Sequence, residues 1–291
     1  MTKAFQNNSV NNFLKKSFRV NLTKMISCFI RLTRLNQPIG SWLLLLPCLW
    51  SITLASPVFP DPQILILFTM GAVIMRASGC IINDIADKDF DQKVARTSTR
   101  PIASNEITVF QALLFLIVLL TLGFLILLQF NKFTIIVGLF SLSLILIYPF
   151  VKRVSYWPQA VLGLTFNWGA LLGWASVCGE LELTPIILYL AGFFWTLGYD
   201  TIYAHQDKND DILIGVKSTA IKFGNNTKVW LLAFYSFAIF LFIVCGYLQN
   251  LNWMFFGGIS IGALHNLWQV YTINIDDPND CYKKFISNRN F

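Results

Sequence analysis

Acidic side chains are scarce in this chain, and they are gathered. Of 15 Asp and Glu residues, Asp84, Asp87, Asp89 and Asp91 crowd into one short segment, and Asp200, Asp207, Asp210 and Asp211 into another. If the helix bearing the first group runs on, Asn83, Asp87 and Asp91 recur every fourth residue and share one stripe. Asp84 lies close to that stripe, two turns before Asp91, while Asp89 faces away. On the second helix Asp200, Asp207 and Asp211 fall within ~40° of one another. Asp210 lies outside their stripe. A column of carboxylates repels itself unless cations sit between its members. Mg²⁺ suits such a column because it takes one or two carboxylates, keeps waters and completes its shell with substrate phosphate oxygens.

Arg76 strengthens this reading. It precedes Asn83 by seven residues, so it lies on the same face and deeper in an apolar stretch. A guanidinium at such a depth marks a site or a paired partner. The plainer alternative is a pair of solvated loops balanced by Lys88, Lys93, Lys208 and Lys217. Two segments on one side, each with a one-face stripe, favour a site. His205 and His265 sit off these stripes and are expected to be structural. The six cysteines show neither CxxC nor paired spacing, which argues for free thiols and against a disulfide or zinc framework.

The elements that carry these residues are apolar. The chain has 291 residues, 55% hydrophobic and 13% charged, whereas soluble domains are about 25% charged. Hydropathy marks about eight stretches able to cross a bilayer. They cover residues 40–57, 64–82, 109–129, 133–151, 157–178, 185–204, 229–247 and 253–272. This predicts an all-α integral membrane bundle in two four-helix halves, each offering one acidic segment. A basic tail (1–35) precedes the membrane domain (36–272), and a polar tail (273–291) follows it. With alternating spans, all 22 Lys and Arg except Lys132 and the intramembrane Arg76 fall on one side. Both acidic segments share that basic side, which is the cytoplasmic face or its equivalent. The net charge of +7 then needs no nucleic-acid partner, because a basic membrane face meets anionic lipid. The first 35 residues lack any acid and suit either a mitochondrial targeting segment or a basic cytoplasmic tail.

At the acidic segments the sequence resembles a known family. Asn83-Asp84-Ile85-Ala86-Asp87-Lys88-Asp89-Phe90-Asp91, followed by Arg96-Thr97-Ser98-Thr99-Arg100-Pro101, resembles the first signature of the UbiA-type membrane prenyltransferases. The run from Tyr199-Asp200 through Asp207-Lys208 and Asp211 to Lys217-Ser218-Thr219-Ala220 resembles the second. Leu35 to Gly40 and Tyr148 to Gln159 resemble two further blocks, and the last of these together with the second signature resembles the 4-hydroxybenzoate polyprenyltransferase branch. Two departures stand out. Asn36 occupies a position that is often Asp in this branch, and relatives usually continue past the position of Phe291 into one more membrane helix.

The resemblance implies a helical membrane fold and Mg²⁺-dependent transfer of a polyprenyl chain from polyprenyl diphosphate to the ring of 4-hydroxybenzoate, a step of ubiquinone synthesis. It implies metal ligation by Asn83, Asp87, Asp207 and Asp211, to which the stripes add Asp84 and Asp91. Asp87, Asp91, Asp200, Asp207 and Asp211 are the expected catalytic acids. Arg76, Lys88, Arg100, Lys152, Lys208 and Lys217 are candidates for the diphosphate. Arg153 is expected to grip the acceptor carboxylate through its guanidinium fork, with Tyr148 facing the same site. The prenyl tail needs an apolar route open to lipid. The expected location is a bacterial inner membrane, with the mitochondrial inner membrane as the alternative. Another acceptor (homogentisate, a naphthoate or haem) is the competing reading within the family. A divalent-cation transporter is the competing class, but the spans hold almost no ionisable group except Arg76 to relay an ion.

Overall fold

The structure is a computed structural model that describes residues 23–291, so most of the basic 1–35 stretch lies outside the described residues. All regular elements among the described residues are helical. Helix α1 covers 23–32. It is followed by α2 (Ile39–Ala55), α3 (Pro62–Ala86), the short α4 (Lys88–Asp91), α5 (Val109–Leu127), α6 (Lys132–Val154), α7 (Pro158–Cys178) and α8 (Leu183–Ala204). A 3₁₀ turn at His205–Asp207 leads to α9 (Lys208–Ile214), α10 (Thr219–Phe223), α11 (Thr227–Leu248), α12 (Trp253–Thr272) and α13 (Pro278–Ser287). The eight spans expected from hydropathy coincide with α2, α3, α5, α6, α7, α8, α11 and α12. By length and composition 6 helical stretches are apolar enough to cross a membrane, while α2 is a shorter apolar helix of 17 residues. In α12 the polar His265, Asn266 and Gln269 lower the hydropathy.

Local chemistry sets the helix ends on both faces of the bundle. Thr108 and Gln111 close a capping box at the start of α5. The Asn131 side chain accepts from Thr134 N at 2.9 Å to start α6. Asp61 accepts from Gln63 N at 2.8 Å, with Pro62 in the first turn of α3. These caps keep the hairpins short. They leave the long, irregular 92–108 stretch and the 205–218 stretch, made mostly of the 3₁₀ turn and the short α9, on the side where the acidic residues emerge.

The two halves are joined where α2 lies along α7. Helices in lipid gain little from hydrophobicity and depend on close contact between small residues. Gly169 and Gly173, four apart on α7, supply that contact. A Cβ on Gly173 would lie 2.8 Å from the Cys48 carbonyl oxygen and 2.9 Å from Ser51 Cβ. Ser51 Oγ also donates to the Ala170 carbonyl across this seam. Helix α7 then packs on α8 and α6, α8 on α11, and α3 on α5.

The 273–291 stretch, polar by composition, folds back onto the bundle. Cys281 and Phe285 of α13 join the main core with Tyr199 and Tyr235. The Phe291 ring stacks on Trp195 with centroids 5.0 Å apart. Polar contacts hold this return in place: Gln269 Nε2 donates to the Lys284 carbonyl at 3.1 Å, and Gln269 Oε1 accepts from Tyr235 Oη at 2.7 Å.

The α2–α7 seam makes a direct test. Gly173→Ala is expected to lose about 1–3 kcal/mol, because the blocking atom is backbone and cannot turn away. Gly257→Ala, where nothing lies within 4 Å of the new Cβ, should leave the thermal midpoint of the detergent-solubilised protein unchanged. Equal midpoints for both variants would refute the seam.

Candidate active site

Helices end where the acidic segments begin, and this re-aims their side chains. Helix α3 stops at Ala86, and Asp87 caps it at φ −100° and ψ 5° before α4 resumes. Asp91 N still bonds back to Asp87 O at 2.8 Å, so the stripe survives with a bend. Helix α8 passes through the 3₁₀ turn before α9, so the second stripe is also broken. Both segments open into one cavity of ≈ 1400 Å³. Asn83, Asp87, Asp91, Asp200, Asp207 and Asp211 all line it. Asp210 lines it too, because the break in the helix turns it inward from its expected place off the stripe.

Each acidic side chain at the first motif's wall is paired with a base from another part of the chain. Asp87 is fully buried, and its Oδ2 accepts from Lys152 Nζ at 2.5 Å. Asp91 accepts from Arg100 Nη1 at 2.7 and 2.9 Å. Burial pushes the Asp91 carboxyl above the usual carboxylate range, against the pull of Arg100. In the second motif Asp207 takes both arms of Arg96, with Nε at 2.7 Å. Arg96 also donates to Tyr203 Oη at 3.1 Å. Lys217 is fixed by the C-terminal end of α6: its N–H donates to the Lys152 carbonyl at 3.0 Å and its Nζ to the Val154 carbonyl at 3.2 Å.

The cavity has two chemistries. Its mouth carries the carboxylates with Arg34, Arg96, Arg100, Lys152 and Lys217. Deeper, Met75, Phe124, Leu142, Ile145 and Phe166 make an apolar wall drawn from α3, α5, α6 and α7. Leu139, Leu146 and Ile117 on α5 and α6 line it and are also exposed on the outer surface. The apolar part therefore reaches the face where lipid would lie. Arg76 sits between the two regions, with its guanidinium 5.4 Å from the Phe166 ring centroid. Gly40 makes room for it, since a Cβ there would collide with the Arg76 side chain. Tyr148 lines the same level.

Several expected residues stand elsewhere. Arg153 is exposed and off the cavity; its Nη2 donates to the Ala86 carbonyl at 2.6 Å, and the group lies over Phe90 and Phe150. Lys152 and Arg153 are adjacent on α6, about 100° apart, so only one of them faces inward. Lys88 and Lys208 also lie off the wall, each one residue past an inward carboxylate. Asp84 is 1% exposed and sits behind the wall, where Arg34 and Arg100 hold it. Sequence reasoning missed Arg34 and Arg96. Arg96 stood inside the quoted first signature, and Arg34 directly before the Leu35–Gly40 block, but neither shares a helical stripe with an acid.

The donor set suits a hard divalent cation. It is made of carboxylate and amide oxygens, and Asp87 Oδ1 is buried with no hydrogen-bond partner. Among the described residues no three acidic, His or Cys side chains are already gathered at metal distance. The bases hold the acids in place instead.

The fold is a helical membrane bundle with one charged mouth opening into an apolar cavity. Residues 44–291 match the UbiA prenyltransferase family, and the chain belongs to it. The chain is 50% identical over 264 residues to the human "4-hydroxybenzoate polyprenyltransferase, mitochondrial", covering 90% of this chain and 71% of that protein. It is also 50% identical over 263 residues to the Aedes aegypti protein of the same name, covering 89% of this chain and 60% of the relative's length. The fold is that of a UbiA homolog from Aeropyrum pernix, with TM-score 0.71 at 22% identity over 85% of this chain and 97% of the other. A UbiA homolog from Archaeoglobus fulgidus bound to GPP and Mg²⁺ aligns with TM-score 0.66 at 18% identity, over 90% and 98% of the two chains.

The Asp87–Lys152 pair predicts the stability of the metal-free protein. Lys152→Met removes the one cation bonded to a fully buried carboxylate, which costs about 3 kcal/mol. The thermal midpoint in chelator should fall, and excess Mg²⁺ should narrow the gap to the wild type. An unchanged midpoint in chelator would show that the pair contributes nothing.

Proposed function

We propose that this protein transfers a polyprenyl chain from polyprenyl diphosphate to the ring of 4-hydroxybenzoate, with Mg²⁺, as a multi-pass enzyme of the mitochondrial inner membrane. The observation that carries this reading is the single cavity whose charged mouth, built from both acidic segments, runs into an apolar space between α3, α5 and α6. A diphosphate fits the mouth, and a prenyl tail fits the apolar part and its lipid-facing side. The names of relatives about half identical to this chain support the acceptor and the mitochondrial setting. They lend no support to a bacterial inner membrane. The acid-free basic stretch at 1–35 agrees with targeting to that organelle. A cation transporter would need polar lining through the whole thickness, and here the deep wall is apolar.

Asn83, Asp87 and Asp91 on one side and Asp207 and Asp211 on the other would hold Mg²⁺. Bound there, the ion neutralises the leaving diphosphate. The protein's own cations do related work. Arg34, Arg96, Arg100, Lys152 and Lys217 face the mouth and offer N–H groups to phosphate oxygens where charge develops. The allylic C–O bond breaks, the ring carbon forms the new C–C bond, and the ring gives up a proton. Asp200, 8% exposed and within the field of Arg76, is placed to receive that proton. Phe166 and Tyr148 line the cavity and would shield the allylic cation with their rings.

The acceptor carboxylate goes to Arg76 in this reading, since Arg153 points away from the cavity. Among the described residues Arg76 makes no hydrogen bond or ion pair, so its fork is uncommitted.

Membranes containing the protein should prenylate 4-hydroxybenzoate with Mg²⁺ and stop in chelator. Asp87→Ala and Asp207→Ala should abolish turnover, and full activity in either would overturn the metal assignment. Arg76→Gln should raise the acceptor KM by about tenfold or more with little change in the donor KM, whereas Arg153→Ala should leave the acceptor KM alone. A donor KM that moves as far as the acceptor KM in Arg76→Gln would return Arg76 to the diphosphate.

A further inference from the structure

Asp84 belongs to the first acidic motif but does not reach the cavity. Its side chain is 2% exposed and lies behind the wall formed by Asn83 and Asp87. What it touches is basic. Oδ1 accepts from Arg34 Nη2 at 2.5 Å and from Arg100 Nη1 at 3.3 Å. Both guanidiniums line the cavity. Each spends only one nitrogen on acids, because Arg100 uses the same Nη1 for Asp91, at 2.7 and 2.9 Å. Among the described residues the other guanidinium N–H groups of Arg34 and Arg100 meet no hydrogen-bond partner.

The backbone at Arg34 gives a second, independent observation. Arg34 stands at φ 55°, in the left-handed region. It follows α1 in a turn where Leu35 N bonds back to the Ile30 carbonyl at 3.1 Å, the helix-ending geometry in which glycine is usual. A side chain with a Cβ is strained there. Glycine would satisfy the turn but could not reach Asp84 or the cavity. Strained backbone of this kind collects at ligand clamps, where surrounding contacts hold it.

We infer that Asp84 is a positioning residue for the diphosphate, a shared anchor that aims Arg34 and Arg100 into the mouth, rather than a metal ligand. It draws α1 and the 92–108 loop onto the end of α3 and fixes two guanidiniums side by side. Two forks held at a common carboxylate can meet the oxygens of one diphosphate, where two free arginines would first lose their side-chain freedom. Arg34 thereby becomes a binding residue contributed from outside the eight spans. The ligand class is the diphosphate of the donor, so the inference rests on the reading proposed above.

The test compares Asp84→Asn with Asp87→Asn in the full chain. Asp84→Asn keeps the shape and removes the charge that holds both guanidiniums. It should raise the donor KM by about tenfold, leave the acceptor KM within about twofold, and leave the Mg²⁺ concentration for half-maximal rate unchanged. Asp87→Asn should shift that Mg²⁺ concentration upward. Equilibrium binding of radiolabelled geranyl diphosphate to the solubilised protein should weaken in Asp84→Asn by the same factor as its KM. Arg34→Lys keeps the charge without the fork. It should show the same pattern at smaller size, and it serves as the readout if Asp84→Asn does not fold. A shifted Mg²⁺ requirement in Asp84→Asn would make it a ligand and overturn the inference, as would donor binding equal to wild type in both variants. A wild-type protein that binds no geranyl diphosphate would instead overturn the proposed function.

Discussion

The rest of the structure depends on one constraint: carboxylates buried at the membrane edge must be matched by cations brought from distant parts of the chain. Asp84, Asp87 and Asp91 are each less than 9% exposed, and an isolated charge so placed would neutralise rather than persist. The answer is a set of ion pairs that crosses the fold. Arg34 follows α1, Arg96 and Arg100 lie in the 92–108 loop, and Lys152 ends α6. Arg96 spans from the first motif to Asp207 in the second. The same pairs that make the acids tolerable draw five chain segments around the mouth. A bound cation would take over part of that compensation and release the bases to the diphosphate. The metal-free state is thereby kept ordered by groups that the proposed reaction also uses.

Lipid sets the second constraint. Close helix contact requires small residues, and the Gly169–Gly173 seam lets α2 lie along α7. On the other side α5 and α6 keep large apolar side chains such as Leu139 and Leu146 outward, and the same residues line the cavity. One flank of the bundle is thus tight and the other loose, and a long prenyl tail would use the loose flank. The return of α13 and Phe291 onto Trp195 closes the bundle near α12. Helix α13 also reaches the mouth, where Pro278, Asn279, Tyr282 and Phe285 line the cavity.

Much of this was legible in the sequence, for identifiable reasons. Hydropathy located the eight long helices, six of them in stretches long and apolar enough to cross a membrane, because a helix in lipid must satisfy its own backbone. Helical phase gathered Asn83, Asp87 and Asp91, and Asp200, Asp207 and Asp211, at one cavity because the bends after α3 and α8 leave these side chains facing it. Phase failed where the helix did. The 3₁₀ turn at His205–Asp207 turned Asp210 inward, and no periodicity announces such a turn. Neighbours on one helix were also hard to separate. Lys152 and Arg153 look equivalent in sequence, yet one reaches Asp87 and the other rests on Phe90 and Phe150. Arg34 and Arg96 lie in irregular segments, where tertiary contacts alone decide the direction of a side chain. The angle of Asp84 differs little from that of Asp91, so phase alone aims it at the site; its depth behind the wall is a property of the packed structure.

The central claim is that a charged mouth and an apolar cavity join a prenyl chain to a phenolic acid. The most direct measurement is mass analysis of the product made by the membrane-embedded protein from pooled substrates. The pool would hold prenyl diphosphates of several lengths with 4-hydroxybenzoate, homogentisate, a naphthoate and haem as competing acceptors. The account predicts prenylated 4-hydroxybenzoate as the dominant product, with its carboxyl group retained. A dominant product built on an acceptor that lacks the carboxyl group para to the phenol would contradict it.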